Sequence, residues 1–135
     1  MYKCQYFKIQ ELVPPELFKK YGEKCWLLFD ERLLMTADAI RAFVGSPCVI
    51  NNGSTYTQSG YRTDDIGAKL SQHKNGRALD LKFSTIKGVD GYNKLRKRII
   101  ENRSLFPYLR GLEDNINWLH IDVGNRVTEL EIFIP

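Results

Sequence analysis

The sequence predicts an α+β fold in one domain spanning residues 1–135, with a small, mainly antiparallel sheet and helices packed on one of its faces. Three observations carry this. Between Leu33 and Val44 apolar residues recur with helical period. Residues 77–83 and 116–123 alternate with the period of strands. At 135 residues with 43% hydrophobic and 27% charged side chains, the chain can bury one core and has no second one to fill.

In chain order, residues 5–13 mix aromatic and β-branched residues with polar ones ahead of Pro14-Pro15, and are expected to be extended. Pro15 opens a short helix through Tyr21, closed by Gly22, which suits the proline-in, glycine-out asymmetry of helix ends. From Asp30, the positions Leu33, Leu34, Ala37, Ile40, Phe43 and Val44 describe the clearest helix, the one expected to back the sheet, and Gly45 with Pro47 stops it. Cys48-Val49-Ile50 is a short apolar strand that ends at the turn Asn51-Asn52-Gly53. Residues 54–70 lack periodicity and form a loop of a length usually reserved for function.

Residues 77–83 then put Ala78, Asp80 and Lys82 on one side of a strand and Leu79, Leu81 and Phe83 on the other. Asp80 therefore faces away from the apolar side. Asp90 is expected to cap a helix running to about Asn102, with Tyr92, Leu95, Ile99 and Ile100 inward and Lys94, Arg96, Lys97 and Arg98 on its wet face. Phe106-Pro107 breaks the chain, Glu113-Asp114-Asn115 reads as a turn, and Ile116–Val123 as a strand with Trp118, His120 and Asp122 on one face. Gly124-Asn125 turns into a last strand from Glu129 to Ile134.

Composition narrows the function. Without eighteen consecutive apolar residues, no membrane partner is expected. The opening Met1-Tyr2-Lys3-Cys4-Gln5-Tyr6-Phe7-Lys8 has no apolar run, so no secretory signal peptide is expected. Three cysteines, Cys4, Cys25 and Cys48, are too few and too scattered for a disulfide framework or a Cys-x-x-Cys metal site, and read as reduced, mostly buried residues. The net charge of +4 favours polyanions, but the basic residues are dispersed. Charge and aromatics alone would support a nucleic-acid binder, and no nucleic-acid partner is expected.

The chemistry concentrates around the only two histidines. His73 and Asp80 stand seven residues apart, and Gly76 between them permits the positive φ that folds a chain back cheaply. His120 supplies a third ligand of the kind zinc accepts. A catalytic zinc site takes three protein ligands and leaves a position for water, whose pKa the metal lowers to about 7. His73, Asp80 and His120 meet that count. Small Ala78 leaves room beside Asp80, and Asp122 can orient an imidazole or a water from behind.

Ser59-Gly60-Tyr61-Arg62, then Ser71-x-His73-x-x-Gly76-x-Ala78-x-Asp80, then Trp118-x-His120-x-Asp122 resembles the zinc D-alanyl-D-alanine carboxypeptidase family, which includes phage endolysins and shares its fold with the Hedgehog amino-terminal domain. The likeness runs in order over about residues 45–124. The resemblance implies that fold and a Zn²⁺ ion held by His73, Asp80 and His120. It implies Arg62 as the cation that steadies the substrate carbonyl and its developing oxyanion, and Ser71 as a lining residue of the substrate pocket. It further implies hydrolysis of D-amino-acid-containing peptide bonds in the stem peptide of bacterial peptidoglycan, and the chain is expected to act as a monomer. Such a protein would stay cytoplasmic until released, or be virion-associated, and act on the cell wall.

One position departs from the family. Where many members have Glu or Asp three residues before the second histidine, this chain has Asn117, which cannot act as a general base. Asp114 reaching in from its turn, or Asp122, could take the catalytic role; otherwise the domain is an inactive binder of metal or peptidoglycan, for example a phage structural component.

Overall fold

The structure, a computed structural model, describes residues 1–50, 60–61, 72–126 and 129–134. Helices α1 (Ile9–Leu12), α2 (Pro15–Tyr21), α3 (Glu31–Val44) and α4 (Gly88–Glu101) accompany five strands: β1 (Cys48–Ile50), β2 (Ala78–Phe83), β3 (Gly111–Glu113), β4 (Leu119–Asp122) and β5 (Glu131–Phe133). The strands form one sheet in the order β1-β2-β4-β3-β5. Its first three pairings are antiparallel and β3 runs parallel to β5, so the fold is α+β with a mixed sheet.

The core lies on the face carrying Leu79, Leu81 and Phe83 of β2, Leu112 of β3, and Leu119 and Ile121 of β4. α3 packs on β2 and β4 through this layer, and α4 adds Tyr92, Leu95 and Ile99 to it. Each fully buried Leu or Ile contributes roughly 1.5–3 kcal/mol relative to exposure. α3 has the expected ends. Asp30 caps it by accepting from Arg32 N–H at 3.0 Å, and Gly45 closes it at a φ of 73°. α2 likewise begins at Pro15 and gives way at Gly22, whose φ is 56°.

Four expectations are corrected. Residues 5–13 are not extended throughout, because Ile9–Leu12 forms a helical turn. Glu11 accepts from the Lys8 backbone N–H at 2.8 Å, while Ile9 and Leu12, one turn apart, both enter the core. α4 starts at Gly88, so Asp90 lies in its first turn rather than at its cap, where a carboxylate still complements the helix dipole. Arg96 is not on a wet face. It is 3% exposed and donates to the Trp118 and Ile116 carbonyls at 3.0 and 3.1 Å, because its position falls inside the stripe of Tyr92, Leu95 and Ile99. Finally, Glu113 belongs to a strand, and the turn that follows it has Asn115 at a φ of 56°.

The two later strands are shorter than alternation suggested, β4 by three residues at its start and β5 by two there. Before β4 the backbone is diverted to Arg96, whose guanidinium takes the Ile116 and Trp118 carbonyls. The amino-terminal segment is tied to α3 by Asp38, which accepts from Tyr2 Oη at 2.6 Å and Gln5 N–H at 2.8 Å. The turn at 51–53 and the loop at 54–70 lie outside the described residues, apart from Gly60 and Tyr61. Among the described residues no helix is long and apolar enough to cross a membrane.

Candidate metal centre

Strand register assembles the site. β2 and β4 pair Asp80 with His120 and Ala78 with Asp122. β4 and β3 pair Asp122 with Gly111, and carrying that register on sets Glu113 opposite His120. β3 and β5 then pair Glu113 with Phe133 and Gly111 with Glu131. Side chains alternate along each strand. Asp80, His120, Glu113 and Phe133 therefore make one row across four strands on the face opposite the core, and Ala78, Asp122, Gly111 and Glu131 make the next.

His73 joins this row from a 3-10 turn, Gln72–Asn75. Gly76 ends the turn at a φ of 66°, with the Leu28 carbonyl only 2.0 Å from where a Cβ would stand. No other residue fits there without moving backbone. The turn delivers His73 Nε2 to 3.4 Å from Asp80 Oδ1, and His120 Nδ1 lies 2.9 Å from the same oxygen. The two imidazoles meet edge to face with centroids 5.2 Å apart. His73, Asp80 and His120 are all buried, and one ligand atom from each lies within 4.8 Å of the others, so the group could hold a metal ion.

Each histidine is fixed by its other nitrogen. His73 Nδ1 donates to the Gly60 carbonyl at 3.0 Å, and that carbonyl is itself positioned because Tyr61 N–H donates to Leu12 O at 2.7 Å. A Cβ on Gly60 would fall 2.0 Å from the same Leu12 oxygen. His120 Nε2 donates to Asp122 Oδ2 at 3.0 Å. Both inward nitrogens face Asp80, and a hydrogen-bonded outer nitrogen is the arrangement that orients a metal-ligating imidazole.

Asp122 is completely buried and is also gripped by Arg126, whose Nε lies 3.1 Å from Oδ1 and whose Nη2 bonds Oδ2. Gly111 makes room for it, since a Cβ there would stand 2.4 Å from Oδ2. Phe133 closes the side of the site, its ring 5.4 Å from that of His120 and 4.6 Å from the Arg126 guanidinium.

Electrostatics follow from these contacts. Burial alone would lower the His120 pKa, but the hydrogen bonds to Asp122 and Asp80 outweigh it and raise the value to about 9. Burial would raise Asp80, yet its bonds to His120 and His73 hold it well below the ordinary carboxylate range. Asp122 is lowered against burial by His120 and Arg126. Glu113 moves the other way, pushed up by burial, with the charge of His120 opposing and that of Asp80 adding to the shift. In the metal-free state His120 is thus an imidazolium bridging two carboxylates, a place where a divalent cation can displace a proton.

Of the residues expected at the site, His73, Asp80 and His120 come together, and Asp122 stands directly behind His120. Asp114 does not join them. It pairs with Arg96 at 3.5 Å, and among the described residues the carboxylates within 4 Å of a histidine nitrogen belong to Asp80, Glu113 and Asp122. Arg62 and Ser71 lie outside the described residues. Sequence reasoning missed Glu113, Arg126 and the Gly60 carbonyl. Glu113 was hidden because a three-residue strand containing one apolar side chain has no readable alternation. The chain matches no protein-family model, no curated protein and no solved structure, so its chemistry is read from this geometry and from the residue pattern.

Proposed function

We propose that this chain is a zinc-dependent peptidase that hydrolyses D-amino-acid-containing peptide bonds of bacterial peptidoglycan, in the manner of an endolysin or carboxypeptidase of the Hedgehog-like fold. The observation that carries the reading is the convergence of His73 Nε2 and His120 Nδ1 on Asp80, each imidazole anchored by its outer nitrogen. Two neutral nitrogens and one carboxylate are a donor set that suits zinc and leaves room for a water. The ordered resemblance from Ser59 to Asp122 supplies the substrate class.

When bound, zinc would acidify a water and polarise the scissile carbonyl. The chain's own residues do the rest. Asp122 keeps the His120 imidazole in one tautomer and orientation, and the Gly60 carbonyl does so for His73. Arg62 would stabilise the oxyanion and Ser71 would line the substrate side, both by the resemblance.

Asn117 favours a second reading, a domain that binds metal and stem peptide without turnover. Purified cell walls incubated with zinc-loaded protein separate the two. The peptidase reading expects release of new amino groups, abolished by chelation, restored by zinc and absent in His73→Ala. Zinc-loaded protein that sediments with walls but releases nothing would establish the binding domain instead.

A further inference from the structure

Asn117 leaves the proposed peptidase without its usual proton carrier, and β3 supplies one. We propose that Glu113 is the catalytic carboxylate of this site. The assignment rests on the peptidase reading above. Glu113 lies in the same row as Asp80 and His120, and its Oε2 is 3.8 Å from His120 Nδ1, the nitrogen that faces Asp80. Its side chain is 17% exposed. It is sheltered enough to be positioned and open enough to meet water.

The other carboxylates are committed elsewhere. Asp80 is shared by both histidines, Asp122 is held between His120 and Arg126, and Asp114 is paired with Arg96 on the opposite side of β3. Among the described residues no lysine or arginine nitrogen lies within 4 Å of Glu113, whose ionic neighbour is His120. At Asn117 the backbone carbonyl accepts from Lys82 Nζ, and the side-chain amide cannot serve as a general base.

In the reaction, Glu113 takes one proton from the attacking water as the new C–O bond forms. It then passes that proton to the amide nitrogen as the C–N bond breaks, leaving a carboxylic acid and an amine that become carboxylate and ammonium as the water's second proton moves between them, and Glu113 returns to its ionised state. A glutamate on the neighbouring strand thus replaces one three residues before the histidine.

The test compares zinc-loaded wild type, Glu113→Gln, Glu113→Asp and Asp114→Asn on purified cell walls. It measures bound zinc per chain, the visible spectrum of the cobalt-substituted protein, and amine release. Glu113→Gln should keep its zinc and an unchanged cobalt spectrum while turnover falls by about 10²–10⁴-fold, the range for losing a general acid–base group. Glu113→Asp, which keeps the charge but withdraws it by one methylene, should fall between. Turnover by Glu113→Gln near that of wild type, or a loss carried by Asp114→Asn instead, overturns the assignment. So does loss of zinc in folded Glu113→Gln, which would make the residue a ligand. Inactivity of zinc-loaded wild type is a different failure, because it removes the peptidase reading itself.

Discussion

His120 stands directly across the sheet from Asp80, its Nδ1 2.9 Å from the carboxylate, while its Nε2 donates to Asp122 two residues along its own strand. One imidazole is thereby clamped on both sides, with a fixed direction for the nitrogen that faces Asp80. The consequences can be measured.

If the three buried donors hold zinc, folded protein is stabilised by mass action, by about 2.7 kcal/mol when free zinc is a hundredfold above its dissociation constant. Thermal melts with zinc against chelator should show a clear upward shift in wild type. His73→Ala and Asp80→Ala should show none.

Asp122→Asn should leave all three ligands in place yet weaken zinc binding by roughly 10–100-fold, the usual cost of removing the group behind a ligating histidine. Titration calorimetry would read this. An unchanged affinity would mean that Asp122 serves Arg126 and the fold alone.

The pH dependence follows from His120. Its folded pKa of about 9 lies above the ordinary 6.5, so in metal-free protein its contribution to stability is complete below about 6.5 and is lost as pH rises through about 9. Denaturant melts of chelated protein across that window should show the decline. Metal uptake has the opposite dependence, because Nδ1 must shed its proton to ligate. Calorimetry in buffers of different ionisation enthalpy should detect proton release on binding below about pH 9, the folded value of His120.

Gly111→Ala would drive a Cβ to 2.4 Å from Asp122 Oδ2, and the fully buried carboxylate cannot retreat while Arg126 holds it. A destabilisation of about 1–3 kcal/mol is expected from such overpacking, read by urea unfolding, together with weaker zinc binding.

Arg96→Met should destabilise the chain by about 3 kcal/mol or more, since it strips the Ile116 and Trp118 carbonyls and Asp114 of a buried partner. Circular dichroism melts would show it. A change within about 0.5 kcal/mol, the level of an ordinary surface substitution, would put Arg96 back on the wet face that helical spacing first suggested.

Local signals were enough for much of the molecule. The ends of α3 were legible in Asp30 and Gly45, α2 in Pro15 and Gly22, and β2 in the alternation that sets Asp80 apart from Leu79 and Leu81. The candidate ligands were legible too, because a sequence with two histidines offers few ways to build a nitrogen-rich site. Alternation and capping are properties of adjacent residues, and the chain carries them wherever it goes.

Pairing across the sheet was decided only by the tertiary structure. β3 exists because β4 and β5 flank it, and its three residues, Gly111-Leu112-Glu113, announce nothing by themselves. From that pairing come the placement of Glu113 opposite His120 and the diversion of Asp114 to Arg96. Which carboxylate faces an imidazole depends on strand register, and register is set by long-range hydrogen bonds and burial that no local window contains.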